Sequence, residues 1–281
     1  MAWRAWVATA NTVHYEDDAS LWLHGGYGAI AVADGVSTSR GGGASLLAAW
    51  GFTAFCRAVL PGWRGSIAGA ARRCLELLDE AAREASPRDA DTAAEAKRLY
   101  YRGCGAPCTR PMSPWEPARL EAQAPQEGGG GQAPSTTLLA ALLGPGGQLA
   151  LVLAGDGVVV ATTGSKESTW LLWGALPQFY EGSRLARFIE VGRGLQGEPV
   201  VLETRLPGDT LLALATDGVD PAALAEELVE LARRGVPEDA AEGNPASLLL
   251  SRIQQRAGGL EDDATIALAY WASQAPGRLG R

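Results

Sequence analysis

The chain has 281 residues, a formal net charge of −8 and a hydrophobic content of 47%. This length suits one large α+β domain or two small ones, with enough apolar residues for a sizeable core. The acidic balance argues against a general nucleic-acid or anionic-membrane binder, which carries a basic surface. No apolar run approaches the ~20 residues of a membrane span, and residues 1–18 turn polar too early for a signal peptide. We therefore expect a cytoplasmic protein.

The first third of the chain predicts three strands followed by two helices. Residues 3–10 and 20–24 have strand patterns, and the continuous apolar run from Gly28 to Ala33 is typical of a buried strand. Helical spacing begins at Ala44 and stops before Pro61. A second helix is predicted over residues 65–84, which place apolar side chains on one face.

Residues 85–134 differ in composition from the rest of the chain. They are rich in proline, glycine, alanine and charge, and they include four consecutive glycines at 128–131. We predict a long, partly disordered insertion loop with a short helix near 92–101. A linker between two domains is the alternative, but acidic turns of one style occur on both sides of the segment. The favoured organisation is therefore one domain over residues 1–272 with a flexible tail at 273–281.

Strand patterns resume after this segment and alternate with turns. Asn244 and Pro245 are suited to the N-cap and the first position of a helix. Many antiparallel-style strands combined with paired helices predict an α+β layered domain. The predicted strands are 135–143, 148–154, 158–162, 169–173, 200–204, 210–215 and 264–271, and the predicted helices are 221–234 and 244–256.

The cysteines do not indicate a zinc site. Cys104 and Cys108 lie close together in a turn-rich segment, while the histidines that would complete a zinc site, His14 and His24, are far away in sequence. Free thiols and a local disulfide both fit this spacing.

Several apolar runs end in acidic turns. A strand that ends in Asp-Gly presents a carboxylate at its tip, and the glycine allows a sharp turn and a close approach of its own carbonyl to a ligand. A plain structural turn explains any one of them. Several carboxylates that converge are costly unless a cation neutralises them, which predicts hard divalent metals bound by oxygen. The runs are GAIAVADG at 28–35, VLAGDG at 152–157 and LLALATDG at 211–218. Acidic pairs also occur in YEDDA at 15–19 and, just before a strand-like run, in EDDATIA at 261–267.

The order of these motifs resembles the metal-dependent protein phosphatase family, type 2C, in its shorter bacterial and archaeal branch. The resemblance spans nearly the whole chain except residues 85–134. The matching segments are YEDDA at 15–19, VADGVSTSRGGGAS at 32–45, STTLLAAL at 135–142, the Gly-Asp turn at 154–157, ATDGV at 215–219 and EDDATIAL at 261–268.

The resemblance implies a four-layer α-β-β-α sandwich, with a central antiparallel β-sandwich flanked by helix pairs. It also implies two Mn2+ or Mg2+ ions at one end of the sandwich. Asp34 would bridge the ions, and Asp18 and Asp34 would position the attacking water. The positions that match metal ligands are Asp17, Asp18, Asp34, the carbonyl of Gly35, Asp217 and Asp262, with Asp156 at the position of a third ion.

The implied activity is that of a phosphoserine/phosphothreonine protein phosphatase. Two divalent ions close together make hydroxide available near neutral pH, and they neutralise charge on the oxygens of the transferring phosphoryl group. Carboxylate and carbonyl ligands suit Mg2+ and Mn2+ better than zinc. The partner would be a phosphoprotein produced by a Ser/Thr kinase.

The sequence departs from the family pattern where the substrate phosphate is held. An arginine usually stands at the position of Val13. Phosphate binding therefore falls to His14, Arg40 or Arg4, or is weak. A catalytically weak regulatory or phosphoprotein-binding domain on the same fold, and a phosphatase of small phosphate esters, are the alternative functions.

Two further departures lie near the predicted metal ligands. Pro221 occupies the place of an acid that follows the ATDG motif, with Asp220 one residue early, and Asp263 replaces a common asparagine. The first departure puts the third-metal site in doubt, and the second is a modest change.

Overall fold

Antiparallel strands form the middle of the fold. The structure, a computed structural model, describes residues 2–36, 42–104, 106–109, 133–173, 180–181, 184–236, 243–260 and 262–272. The strands are β1 (Trp3–Ala10), β2 (Asp18–His24), β3 (Tyr27–Ala33), β4 (Ser135–Thr136), β5 (Leu138–Leu143), β6 (Gln148–Ala154), β7 (Val158–Thr162), β8 (Thr169–Trp173), β9 (Tyr180–Glu181), β10 (Arg184–Leu185), β11 (Phe188–Glu190), β12 (Gly194–Gln196), β13 (Val200–Arg205), β14 (Thr210–Ala215) and β15 (Ala264–Trp271).

These strands build two large sheets and two small ones. One five-stranded sheet has the order β13-β6-β5-β3-β2, and the other has the order β1-β15-β14-β7-β8. Every pairing in both sheets is antiparallel. Short strands β12, β11 and β4 form a third sheet, and β9 pairs with β10.

Helices cover the outer face of each large sheet. Helices α1 (Gly42–Val59) and α2 (Ile67–Glu84) share a core with the sheet that contains β3. Helices α4 (Pro221–Arg234) and α5 (Pro245–Ala257) share a core with the sheet that contains β15. A third core lies between the two sheets. The predicted four-layer α-β-β-α sandwich is therefore confirmed.

Strand β3 shows why its sequence is apolar throughout. Ile30 and Val32 belong to the core between the sheets, whereas Ala29 and Ala31 belong to the core beneath the helices. Because both faces of the strand are buried, alternation with polar residues is lost. Alanine on the helix-facing side also lets α1 pack close to the sheet.

Helix α1 is apolar because it is surrounded by protein. Its contacts include α2, the following helix α3 (Pro87–Cys104), and strands β2 and β3. By length and composition alone, the segment Gly43–Gly62 would suffice to cross a membrane, but 56% of that window is buried inside the fold. Its hydrophobicity is accounted for by packing.

The segment after α2 differs from the predicted loop with a short helix. Helix α3 (Pro87–Cys104) has 18 residues and packs against α1 through Leu46 and Ala96. The charged composition of this segment gave little sign of a helix, because most of its side chains are exposed or only partly buried and a few, including Lys97 and Tyr101, are buried. Residues 105 and 110–132 lie outside the described residues, so the predicted loop is not tested there, nor is the tail at 273–281.

The remaining predicted elements agree with the structure to within a few residues. Asn244 caps α5 by accepting from the backbone of Ala246 and Ser247, and Asp220 caps α4 by accepting from Ala223 N at 2.7 Å. The short strands β9 to β12 were not predicted. A disulfide joins Cys104, the last residue of α3, to Cys108. Cys56 and Cys74 are buried free thiols with their sulfurs 3.3 Å apart.

The contact between α1 and α3 depends on a glycine. A β-carbon at Gly43 would overlap the backbone carbonyl of Ala90. We expect Gly43→Ala to lower the free energy of unfolding by about 1–3 kcal/mol, as overpacking does. Thermal unfolding followed by circular dichroism measures this. Gly103→Ala is the matched control in α3, because nothing lies within 4 Å of its added carbon, and an equal loss there would contradict the argument.

Candidate active site

The acidic turns converge because the ends of six strands meet at one end of the sandwich. In the register of the sheets, Asp18 pairs with Ala33, Ala10 pairs with Ala264, and Ala215 pairs with Ile266. The turns that follow β3, β6 and β14, and those that precede β2 and β15, therefore lie together. The sequence pattern predicted these strand ends, and the antiparallel pairing brings them to one place.

Asp34 is held by its backbone. Its N–H donates to Thr137 Oγ1 at 3.1 Å, and its carbonyl accepts from Thr137 N at 2.8 Å and from Thr136 Oγ1 at 2.7 Å. Gly35 N donates to the carbonyl of Glu16 at 3.2 Å. Thr136, at the end of β4, and Thr137, which follows it, thus fix the Asp34-Gly35 turn. The carboxylate of Asp34 remains available for other contacts.

Asp17 and Asp34 form a buried, hydrogen-bonded carboxyl pair. Asp17 is 1% exposed, and its Oδ2 accepts from Thr216 Oγ1 at 2.6 Å. Burial raises the pKa of Asp17 to about 7. Burial, followed by the negative charges of Asp17 and Asp217, raises the pKa of Asp34 well above its usual range. Without a cation, the pair therefore retains a proton near neutral pH.

Three more aspartates extend this cluster towards solvent. Asp217 lies in the turn that follows β14 and is exposed. Its pKa is raised mainly by partial desolvation and next by the negative charge of Asp156. Asp156 also acts on Asp34, and Asp262 acts on Asp217. The structure thus brings together five of the predicted metal ligands. Within the described part of the chain, however, no three His, Cys, Asp or Glu side chains are already arranged to hold a metal ion.

Asp18 is placed differently from the other aspartates. It is completely buried, and its Oδ2 lies 3.6 Å from Lys97 Nζ on α3. Burial raises the pKa of Asp18, and the charge of Lys97 is the largest effect that opposes this rise. Burial likewise lowers the pKa of Lys97, opposed first by Asp18. Each group therefore favours the charged form of the other.

His14 and Arg4, both predicted to bind the substrate phosphate, lie at different distances from the acidic cluster. His14 lies at the rim, with Nε2 3.9 Å from Asp262 Oδ1. Arg4 does not reach the site: it lies over the ring of Tyr270, six residues, or roughly 20 Å, before the end of β1. The prediction for Arg4 is wrong, because the strand directs it to the far end of the sheet. Arg40 lies outside the described residues.

Asp263 organises the loop that precedes Asp17, a role that the sequence did not indicate. Its Oδ1 accepts from the backbone N–H groups of Thr12 and Val13 at 2.8 Å each, and its Oδ2 accepts from Glu16 N at 2.8 Å. A carboxylate with two oxygens can hold several backbone donors, whereas an asparagine amide has one acceptor oxygen. The acid at this position therefore fixes the loop that carries Val13 and His14.

Comparison with known proteins agrees with this architecture. A sequence model described as Protein phosphatase 2C matches residues 9–240. The chain belongs to this family. A search of curated protein sequences found no match.

Solved structures share the fold at low sequence identity. A Caenorhabditis elegans (C.elegans) sex determining protein has a TM-score of 0.59 and 16% identity, over 96% of this chain and 65% of that one. The Mycobacterium tuberculosis serine/threonine phosphatase PstP/Ppp has a TM-score of 0.56 and 17% identity, over 97% and 100% of the chains. The catalytic domain of a phosphatase PstP in complex with two manganese ions has a TM-score of 0.51 and 18% identity, over 96% and 99%. Identities this low establish the shared fold, so the roles of single residues in this chain must be argued from its own geometry.

The carboxyl pair of Asp17 and Asp34 makes the stability of the fold depend on pH when no cation is bound. Asp17 has a pKa of about 7 when folded and about 3.9 when unfolded, so its stabilising proton is fully present below pH 4 and lost as the pH rises through 7. In EDTA, we expect the stability of the wild type relative to Asp17→Asn to fall between pH 5 and pH 8, by at most about 1.4 kcal/mol per pH unit. Thermal unfolding of both proteins across this range measures it. A stability difference that does not change with pH would contradict the assignment.

Proposed function

We propose that this member of the protein phosphatase 2C family is a metal-dependent phosphoserine/phosphothreonine protein phosphatase of the cytoplasm. Its substrate would be a phosphoprotein produced by a Ser/Thr kinase. The observation that carries the proposal is the cluster of aspartates at one end of the sandwich, in which Asp34 feels the charges of Asp17, Asp217 and Asp156.

The chemistry of this cluster fits Mn2+ or Mg2+. All of its candidate donors are oxygens, which these cations prefer, and carboxylates that repel one another are compatible with a bound divalent ion. Two such ions, when bound, would make hydroxide available near neutral pH and would neutralise charge on the phosphoryl oxygens. The residues that would hold them are Asp17, Asp34, the carbonyl of Gly35, Asp217 and Asp262, and Asp156 would contribute to a third ion.

Neighbouring side chains of the protein hold these candidate metal ligands in place. Thr136 and Thr137 fix the backbone of Asp34, while Thr216 holds Asp17. Asp217 and Asp262 are the solvent-facing members of the cluster, so they are suited to complete a metal shell as substrate arrives. No three His, Cys, Asp or Glu side chains of the described residues are in a coordinating arrangement, so the side chains of the cluster would have to adjust when a cation binds.

Val13 favours a second candidate function. It stands at the position of the phosphate-binding arginine and is 41% exposed beside His14. A hydrophobic side chain at this position cannot form a hydrogen bond to a phosphate. Weak substrate binding of this kind would suit a catalytically weak regulatory or phosphoprotein-binding domain. Turnover of small phosphate esters is a further alternative, and panels of phosphopeptides and phosphorylated metabolites distinguish it from a protein phosphatase.

Activity should depend on a divalent ion and on Asp34. We expect hydrolysis of p-nitrophenyl phosphate to require Mn2+ or Mg2+ and to stop after chelation. Asp34→Asn should reduce turnover at least 100-fold, because an electrostatic interaction used in the transition state is typically this large. Its melting temperature in EDTA should be unchanged or higher, since a neutral amide replaces a carboxyl group whose ionisation is disfavoured by its burial and by the neighbouring carboxylates.

Asp220→Asn is the matched control for this prediction. It lies three residues from Asp217 and caps α4, a role that asparagine also performs well. It should retain wild-type turnover. Full activity of wild type after metal removal, or wild-type turnover in Asp34→Asn at saturating Mn2+, would exclude the proposed mechanism.

An arginine at position 13 should improve substrate binding. We expect Val13→Arg to lower KM about tenfold, because a charge-assisted hydrogen bond contributes about 1.5 kcal/mol or more. KM should change more than kcat if the contact is equal in the ground and transition states.

Steady-state kinetics of Val13→Arg, His14→Ala, Arg40→Ala and Arg4→Ala on one substrate test this. Arg4→Ala is the control, since Arg4 lies over Tyr270 at the other end of β1. If KM is unchanged in Val13→Arg but raised in His14→Ala or Arg40→Ala, the phosphate ligand is already present and the proposal of weak binding is wrong.

A further inference from the structure

Helix α3 carries a lysine into the wall of the candidate active site. Both Lys97 and Asp18 have no exposed side-chain surface. Charged side chains are almost never completely buried unless they are paired, since an isolated buried charge is very costly. A buried Lys97 therefore requires a partner, and the structure provides one in Asp18, at the start of β2.

The ammonium group of Lys97 contacts three elements at once. It donates to the carbonyl of Glu16 at 2.9 Å and to Ser45 Oγ on α1 at 2.7 Å, and it lies 3.6 Å from Asp18 Oδ2. Ser45 in turn donates to the carbonyl of Glu16. A lysine ammonium has three donors and no acceptor, so this oxygen-lined pocket matches its chemistry. The pocket joins α1, α3 and the turn that contains Asp17.

The other oxygen of Asp18 is also directed at protein groups. Asp18 Oδ1 accepts from Ala19 N at 2.9 Å and from the hydroxyl of Tyr101 at 3.2 Å. Tyr101 and Lys97 are one turn apart on α3, so a single helix face contacts both oxygens. Asp217 and Asp262, by contrast, are exposed. Asp18 therefore faces helix α3, while the remaining aspartates face one another or the solvent.

We propose that Asp18 belongs to a buried charge pair with Lys97 rather than to the metal ligands, and that this pair anchors helix α3 to the turn that contains Asp17. The proposal refines the proposed function and rests on it. A divalent cation bound to Asp18 Oδ2 would lie close to the ammonium group and be repelled by it, and the two would compete for one oxygen. The metal ligands are then Asp17, Asp34, the carbonyl of Gly35, Asp217 and Asp262.

Mn2+ titration of metal-free protein by calorimetry tests the assignment of Asp18. We expect Asp18→Asn to bind the same number of Mn2+ ions as wild type, with affinity within threefold. Asp17→Asn is the matched comparison, because it changes the adjacent residue in the same way, and it should weaken binding of one ion at least tenfold. Loss of a Mn2+ equivalent in Asp18→Asn, or binding by Asp17→Asn at wild-type affinity, would overturn the proposal.

A double-mutant cycle tests the pair itself without using metal. In EDTA, Asp18→Asn and Lys97→Met should each lower the melting temperature by several degrees, because each leaves one buried charge without its partner. The combined variant should lose at most half of the summed loss. If Lys97→Met alone does not fold, recovery of a folded protein in the combined variant supports the same conclusion. Additive losses, or a combined variant less stable than either single variant, would overturn the pairing.

Arg98→Met controls for the loss of a cation from α3. Arg98 is exposed and forms a surface ion pair with Glu95 at 3.3 Å, which contributes little to stability. Its melting temperature should match that of the wild type. The two experiments also separate the proposals: if wild type binds no Mn2+ and hydrolyses no phosphate ester, the proposed phosphatase function fails, whereas the cycle in EDTA still decides whether Asp18 is paired with Lys97.

Discussion

Repulsion between carboxylates brought together at one end of a β-sandwich is the constraint on which the rest of the site depends. Asp34 lies within the influence of three other aspartates, and its pKa is raised by its burial as well as by their charges. A folded protein retains such an arrangement only when protons, donors or cations compensate it. The surrounding structure supplies hydrogen-bond donors. The hydroxyl of Thr216 donates to Asp17, and Thr136 and Thr137 form hydrogen bonds with the backbone of Asp34.

The sandwich tolerates this repulsion because its strands are otherwise apolar and buried on both faces. The inner sheet faces meet in one core, and the outer faces meet helices in two others. Burial of such large apolar areas is the main favourable term in folding, so a costly cluster can be placed at the strand ends. Antiparallel pairing then determines which ends meet, as the register of Ala10 with Ala264 illustrates.

Two acidic residues beside the cluster have partners within the protein. Asp263 accepts backbone N–H groups from the loop at 12–16, and Asp18 contacts the ammonium of Lys97 and the hydroxyl of Tyr101. Neighbouring carboxylates in the same motif thus have different environments. Asp17 points to Thr216 and Asp34, whereas Asp18 points to α3. An acidic pair in a sequence consequently does not reveal which of its members is available to a ligand.

Sequence alone determined the α+β layers, most strand and helix boundaries and the five aspartates that come together, since these depend on local apolar patterns, turn residues and caps such as Asn244. It did not predict the full length of α3. The buried residues of this helix include a lysine and a tyrosine, so its sequence lacks the regular spacing of apolar residues that indicates a helix. It also misplaced Arg4, whose distance from the site depends on strand direction. Only the tertiary structure decided that Lys97 contacts Asp18, which lies 79 positions earlier in the chain. Contacts between such distant residues arise from the packing of α3 on α1, which local sequence preferences do not encode.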